Sequence, residues 1–211
     1  MHQKTVIIGI SGPSASGKSV LANTIVDEMG STRVTVISED SYYKDLRHLP
    51  MEERNKTNYD HPDSLDHALM MQHLSALQRG ETVQVPIYDY SIHGRSDKTR
   101  TVGPHDIIVL EGILLFSDAH LRSMMDMLIF MDTPLDICLL RRLQRDIIAR
   151  GRTIQSVMEQ YENTVRPMYL QFTEPTKRYA DIIVPRGGEN RVAVDMIQAK
   201  MREILAQKDR Q

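Results

Sequence analysis

The segment Gly12-Pro-Ser-Ala-Ser-Gly17-Lys18-Ser19 carries residue types whose spacing suits one task, holding a chain of phosphates. Gly12 and Gly17 let the backbone between them, Ser14, Ala15 and Ser16 included, turn its N–H groups inward around anionic oxygens. Lys18 supplies a mobile positive charge for the outer phosphates, and the Ser19 hydroxyl is a small, hard ligand for Mg²⁺. An apolar run precedes the segment and a helical pattern follows it, so a helix start adds its positive end to the same anion. A Gly/Ser-rich turn without a ligand is the plainer alternative; the strand and helix on either side speak against it.

Carboxylates at two further places would complete a phosphoryl-transfer site. Glu111 closes the apolar run Ile107-Ile-Val-Leu-Glu111 and can hold Mg²⁺ through water; the alternative is a surface residue at a strand end. Gly112 follows it, so no adjacent second carboxylate activates water, which favours transfer to a bound hydroxyl over hydrolysis. Asp40 follows the run Arg33-Val-Thr-Val-Ile-Ser38 and is the candidate general base for that hydroxyl, the alternative being a cap for the next turn. Glu39 is the rival carboxylate, turned to the other face by strand alternation. Five arginines, Arg141, Arg142, Arg145, Arg150 and Arg152, lie close together. Arg142 and Arg145 share a helix face, and Arg150-Gly151-Arg152 reads as a hinge, so the group suits a lid that closes over a triphosphate. The alternative is a solvated basic face paired with Asp136 or Asp146, a reading that fits Arg141 better than the others.

These groups need a scaffold that brings them together. Residues 5–10, 33–38, 106–111, 127–132 and 181–185 are short apolar runs of strand type. Helical patterns occupy 17–29, 64–79 (opened by a Ser64 cap and closed by Gly80), 134–150, 153–170 and 192–205. Residues 83–90 and 99–102 read as two short strands around a turn containing Gly94. Strands alternating with helices imply an α/β fold, a parallel sheet with helices on both faces. It carries a small β-hairpin excursion at 83–102 and a helical lid region at 141–170, and the chain 1–211 reads as one domain. Ligands of such a sheet bind beyond the carboxyl ends of its strands, where Gly12, Asp40, Glu111 and Arg186 fall.

Composition narrows the partners. Hydrophobic residues at 41% and charged residues at 26% are an ordinary globular balance, and a formal net charge of -2 argues against a general nucleic-acid binder. The single cysteine, Cys138, excludes an internal disulfide framework and suits a reducing compartment; in an apolar helical run it reads as a buried, inert thiol. No apolar stretch reaches membrane-spanning length and residues 1–4 show no leader pattern, so a cytoplasmic protein without a membrane partner is expected. Met124, Met125, Met127 and Met131 read as core, with a Met-rich interface as the alternative.

With these residues in view, the sequence resembles the uridine–cytidine kinases, a family of P-loop kinases, in their bacterial form and over nearly the whole chain. Besides the glycine loop, the resemblance rests on Glu39-Asp-Ser-Tyr-Tyr-Lys44, Asn58-Tyr-Asp-His-Pro-Asp63, Pro86-Ile-Tyr-Asp-Tyr90, Leu110-Glu-Gly-Ile113, the arginines of 142–152, Gln160-Tyr161, Glu174-Pro-Thr-Lys-Arg-Tyr-Ala-Asp181 and Pro185-Arg-Gly-Gly188. It implies that Asp40 is the base facing a ribose 5′-hydroxyl and that Tyr43 lines the nucleoside site. By the same resemblance Asp60 and Arg142 hold the 2′- and 3′-hydroxyls, as an acceptor and a donor for a diol should. Tyr88 and His93 would read the pyrimidine edge, Tyr90 would wall it, and Arg152 and Gln160 would add nucleoside contacts. Lys18, Arg145 and Arg150 would act on the triphosphate, with Arg186 and Gly187 beside the donor's purine. The resemblance further implies Mg²⁺, ATP or GTP as donor, a homotetramer, and feedback by CTP or UTP.

Pattern alone leaves blander readings beside these: core or surface aromatics for Tyr88 and Tyr90, a loop histidine for His93, a turn former for Asp60 and a helix-start turn for Gly187-Gly188. The sequence departs from the family at Pro13, where Gly or Ala is common, at Gly94, where Thr or Ser is common, and at Ala149, where Glu is common. Two rival readings remain for assay: a phosphoribulokinase-like or pantothenate-kinase-like enzyme, and a hydrolysing nucleotide switch. The latter lacks its guanine reader, since Asn55-Lys-Thr-Asn58 has no Asp at the fourth place.

Overall fold

The computed structural model describes residues 5–30 and 32–210; residues 1–4, where no leader is expected, Ser31 and Gln211 lie outside it. In chain order the first half holds β1 (Val6–Ser11), α1 (Lys18–Met29), β2 (Val34–Ser38), α2 (Met51–Lys56), α3 (His67–Gln78), β3 (Val83–Asp89), β4 (Gly94–Val102) and β5 (Ile107–Glu111). The second half holds α4 (Ala119–Ser123), β6 (Met127–Asp132), α5 (Leu135–Ile148), α6 (Ile154–Gln160), α7 (Arg166–Met168), β7 (Ile182–Pro185) and α8 (Arg191–Lys208).

Five strands form one parallel sheet in the order β2-β5-β1-β6-β7, while β3 and β4 pair antiparallel on their own. The central strands β1 and β5 are apolar at nearly every position because both faces are covered. On one face α1 and α8 contribute Leu21, Ile25, Ile197 and Met201. On the other, α3 contributes Met70, Leu74 and Leu77, with Phe116 and Leu121 beside them. Met125 and Met131 are buried in these two layers and Met124 and Met127 pack against them, so the methionines are core. The first crossover places β5 between β1 and β2. The end of the glycine loop, the end of β2 and the end of β5 therefore lie side by side.

Three boundaries differ from the sequence reading. Helix α3 starts at His67, not at Ser64: the Asp66 carboxylate caps it by accepting from the Leu69 N–H at 3.0 Å. Ser64 lies in a 3-10 turn, Pro62–Ser64, where its hydroxyl binds the carbonyls of Tyr59 and His61. Strand β4 starts at Gly94 rather than at residue 99; its Arg-Ser-Asp-Lys stretch is polar and exposed, so pairing with β3 and not apolar alternation makes it a strand. The helix expected over 153–170 is capped by the Thr153 hydroxyl but is regular only to Gln160. It continues as wide π turns at Tyr161–Val165 and Tyr169–Thr173, around Pro167, which has no N–H to donate. The sequence reading passed over α2, which buries none of its residues and so shows no apolar stripe.

Candidate active site

The glycine loop is built by backbone conformations that its residues accept. Gly12 and Gly17 have φ of 139° and 97°, and Ala15 holds φ 63°, a left-handed value unusual outside glycine. A side chain at Gly17 would also strike the Gly188 N–H at 2.5 Å, so the 187–188 turn packs directly on the loop. Lys18 is buried, and its Nζ donates to the Pro13 carbonyl at 2.8 Å. Pro13 therefore sacrifices an N–H but supplies the oxygen that parks the lysine. Burial lowers the Lys18 pKa, against the charges of Glu111 and Asp40, which raise it. Thr133, just after β6, donates to the Ser16 carbonyl at 2.9 Å and pins the loop from below. The Ser16 Oγ is buried without a hydrogen-bond partner, and Ser16 lines neither cavity described below.

Beside the loop stand the carboxylates. Glu111 accepts from the Ser19 hydroxyl at 2.9 Å and from the Ser38 hydroxyl at 2.5 Å, joining the ends of β5, α1 and β2. Burial and the Asp40 charge raise its pKa, and Lys18 opposes them. Ser19 and Glu111 are hard oxygen donors at hydrogen-bonding distance next to a phosphate loop, so the chemistry of the pair fits Mg²⁺. Glu39 turns away from Asp40, but not by strand alternation: β2 ends at Ser38, and both residues lie in a 3-10 turn, Glu39–Tyr42. Glu39 is fully buried, meets His67 Nε2 at 2.8 Å and accepts from the Leu114 N–H at 2.8 Å. It lies so close to Gly112 that a Cβ there would sit 2.3 Å from Glu39 Cβ. Asp40 faces the opposite way, toward Lys18, and accepts from the Tyr90 hydroxyl at 2.5 Å.

Two cavities meet at that point. One of about 380 Å³ is lined by Ser14, Ala15, Gly17, Lys18, Ser19 and Glu111. The other, about 960 Å³, contains Tyr43, Asp60, Tyr88, Tyr90, His93, Arg142, Arg150, Arg152 and Gln160. Their walls share Ser14, Asp40, Ile113 and Arg145. The second cavity thus gathers every residue that the resemblance assigns to the nucleoside. Of the residues expected at the triphosphate, the first holds Ser14, Ala15, Gly17, Lys18, Ser19 and Arg145, whereas Gly12, Ser16 and Gly187 are not in its wall and Arg150 lines the second cavity instead. Arg186 is not in the wall of the first cavity; Gly188 and Glu189 stand there instead, and Arg186 holds φ 68° in the turn that presents them. Gly187 lies against Arg141, whose Nη1 would be 2.7 Å from a Cβ at that glycine. Arg141, read from sequence as the solvated member of its group, lines the phosphate cavity.

The large cavity is an aromatic box with a charged floor. Tyr43 packs on Tyr59 and Tyr88 with ring centroids 5.5 Å and 4.9 Å away, and His93 stacks on Tyr59 at 5.0 Å with planes 16° apart. His93 sits in the hairpin turn at φ 45°, and burial, with Arg152 and Arg54 nearby, lowers its pKa, so the neutral ring is favoured. Burial raises the Asp60 pKa while Arg142 opposes it. Tyr59 was missed as a site residue because its motif reads as a turn; its hydroxyl is held by the Arg54 carbonyl. Asn55, Lys56 and Thr57, the would-be guanine reader, line this same cavity. At Gly94 a side chain would meet Arg47 Cγ at 2.6 Å, so the departure from Thr or Ser is coupled to a neighbour that fills the space.

Sequence reasoning named Asp146 only as a partner of a solvated basic face; the structure makes it the buried residue that organises the arginines. Cys138, Arg142 and Asp146 are the buried residues of α5, spaced by four, so the helix turns a charged face inward. Asp146 is fully buried, and Arg142, Arg145, Arg150 and Arg152 reach it at 3.6, 2.9, 3.4 and 3.7 Å. Arg142 also donates to Ser14 Oγ at 3.0 Å and to Gln160 Oε1 at 3.0 Å, tying the glycine loop to α6. Arg152 shares the Gln160 oxygen and adds Ser156. Arg150 lies 4.7 Å over the Tyr90 ring. The i+4 spacing of Asp146 from Arg142 was the available signal. Cys138 is buried as expected, with its thiol pushed up to about 11 by burial.

Comparison with known proteins agrees with this construction. A family model described as Phosphoribulokinase / Uridine kinase family matches residues 7–193. The chain is 58% identical over 208 residues to a uridine kinase of Shewanella amazonensis, covering 97% of this chain and 98% of that one. It is 57% identical over 208 residues to a uridine kinase of Vibrio cholerae, with the same coverage. Among solved structures, the phosphoribulokinase of Rhodobacter spheroides superposes with a TM-score of 0.64 at 14% identity, covering 89% of this chain and 73% of that one. The D-glycerate 3-kinase of Cryptococcus neoformans does so with 0.62 at 18%, covering 82% and 80%. These two likenesses concern the fold alone. A match running through nearly the whole sheet, with relatives this similar from end to end, makes the chain a member of the phosphoribulokinase and uridine kinase family.

Proposed function

We propose that the chain is a nucleoside kinase that transfers the γ-phosphate of ATP or GTP to the 5′-hydroxyl of uridine or cytidine, giving UMP or CMP for pyrimidine salvage. The carrying observation is that a phosphate cavity and an aromatic cavity share Asp40 and Arg145 in one wall. Bound from the two sides, a γ-phosphoryl and a primary alcohol would meet there, which is the proximity that in-line transfer needs.

In this reading Asp40 takes the proton of the 5′-hydroxyl, and its oxygen attacks the γ-phosphorus opposite the leaving diphosphate. Lys18 leaves the Pro13 carbonyl for the outer phosphates, where Arg145 and Arg150 add charge. The glycine-loop residues Gly12 to Ser19 hold the donor, and Gly187 with its neighbours stands beside the donor base. Ser19 and Glu111 would hold Mg²⁺, which neutralises phosphate charge when bound. Asp60 and Arg142 grip the ribose diol; Tyr43, Tyr88, Tyr90 and His93 sandwich and read the base; Arg152 and Gln160 close the far side. The chain acts as one domain, with the 83–102 hairpin serving the acceptor and the 141–170 region serving as lid. A cytoplasmic homotetramer is the assembly that the resemblance supports, and sedimentation at micromolar concentration tests it. No helix among the described residues is long and apolar enough to cross a membrane.

A coupled assay offering uridine, cytidine, ribulose 5-phosphate and pantothenate with MgATP or MgGTP decides the acceptor. Turnover is expected with the two nucleosides. Preference for either other acceptor, or fast turnover with none, would replace this reading by a sister kinase or a nucleotide switch.

A further inference from the structure

One oxygen of the Asp40 carboxylate is already engaged as the structure stands. The Tyr90 hydroxyl donates to its Oδ2 at 2.5 Å, a charge-assisted bond of the strong kind. Tyr90 follows β3 at the tip of the hairpin and is 43% exposed, so the core does not depend on this bond. Its ring is held from two sides. Tyr88 packs edge-on at 5.3 Å, and Arg150 lies over it at 4.7 Å while also reaching Asp146. One tyrosine therefore joins the carboxylate, the acceptor wall and the arginine cluster.

Asp40 lines both cavities, so solvent in either can reach it. A carboxylate poised beside a γ-phosphoryl would accept a proton from water as readily as from a sugar alcohol. The water oxygen would then bond to the γ-phosphorus as the bond to the β,γ-bridging oxygen breaks. The proton would pass to Asp40, and nucleoside diphosphate and inorganic phosphate would leave. We propose that the Tyr90 hydroxyl is a latch on Asp40, withholding it from water until the acceptor's alcohol takes the tyrosine's place at the carboxylate. This is a duty of the hydroxyl, separate from the ring's part in the wall, and it rests on Asp40 being the base.

The test is acceptor-free phosphate release from MgATP by the full chain, its Tyr90→Phe variant, its Asp40→Asn variant and the double variant. Phenylalanine keeps the ring contacts and removes only the donor. Release by Tyr90→Phe is expected to rise about 10- to 100-fold, the factor a hydrogen bond to a charged group imposes. That gain should vanish in the double variant. No rise, or a rise that survives Asp40→Asn, overturns the latch. The base assignment fails by a different sign: Asp40→Asn alone would keep transfer to uridine within a few-fold of the parent.

Discussion

At the scale of single residues, the site depends on small side chains kept small by named neighbours. Gly112 leaves room for Glu39, whose Cβ and Oε2 would lie 2.3 Å and 2.2 Å from an added Cβ. Gly112→Ala is therefore expected to cost about 1–3 kcal/mol by overpacking, read from chemical denaturation, with nucleoside turnover falling as the turn before Asp40 shifts. The placement of Glu111, the glycine loop and Asp40 on one edge was legible from sequence because spacing and strand ends are local facts, although Asp40 lies in a 3-10 turn just past its strand. Tyr59 was not, since what defines it is a ring stacked from 34 residues away. Asp146 was readable only as one partner of a basic face, since sequence order does not display its burial among the guanidiniums. Arg141 was misjudged for the same reason: only the 187–188 turn, far along the chain, gives it a place on the phosphate cavity.

At the scale of elements, two assemblies position the chemistry. The first is the buried Glu39 and His67 pair, which links the turn after β2 to α3 and, through the Leu114 N–H, to the segment after β5. Burial alone would lower the His67 pKa, but the hydrogen bond and charge of Glu39 outweigh it and raise the value. A raised folded value means the pair stabilises fully below the unfolded pKa of about 6.5 and fades as pH climbs through the folded one. His67→Gln should accordingly destabilise the fold by about 1.5–3 kcal/mol at pH 6, and the gap to the parent should narrow toward pH 9 in urea titrations. The second assembly is the Asp146 hub of α5. Asp146→Asn keeps the shape but removes the charge that orders four arginines, so stability is expected to drop by about 3 kcal/mol. Because Arg142 lines the larger cavity and Arg145 lines both, KM should rise for donor and nucleoside together, a pattern that steady-state kinetics in both substrates would display. The helical nature of residues 141–170 was readable from sequence; the π turns were not, because hydrogen-bond slippage around Pro167 leaves no periodic trace.

At the scale of the whole molecule, the strand order decides everything else. With β5 inserted between β1 and β2, the ends carrying the glycine loop, Glu111 and Asp40 form one edge, and residues of the hairpin and of α5 and α6 line the larger cavity beside it. Alternating apolar strands and helices made the parallel sheet readable in advance; the exposed, polar β4 was half lost because apolar periodicity was absent. Ligand binding at that edge should brace the fold as a unit. MgATP at a hundredfold excess over its Kd adds about 2.7 kcal/mol, a rise in Tm of about 5–10 °C for a chain of this size, and Lys18→Ala should lose most of it.

The most direct test of the account is Asp40→Asn, assayed for uridine phosphorylation and, in parallel, for MgATP binding by calorimetry. The two-cavity geometry predicts that turnover falls by about 10²–10⁴-fold, as loss of a general base does, while nucleotide affinity stays within a few-fold of the parent. Turnover near the parent's level, or loss of nucleotide binding along with activity, would contradict the placement of that carboxylate between phosphoryl group and alcohol.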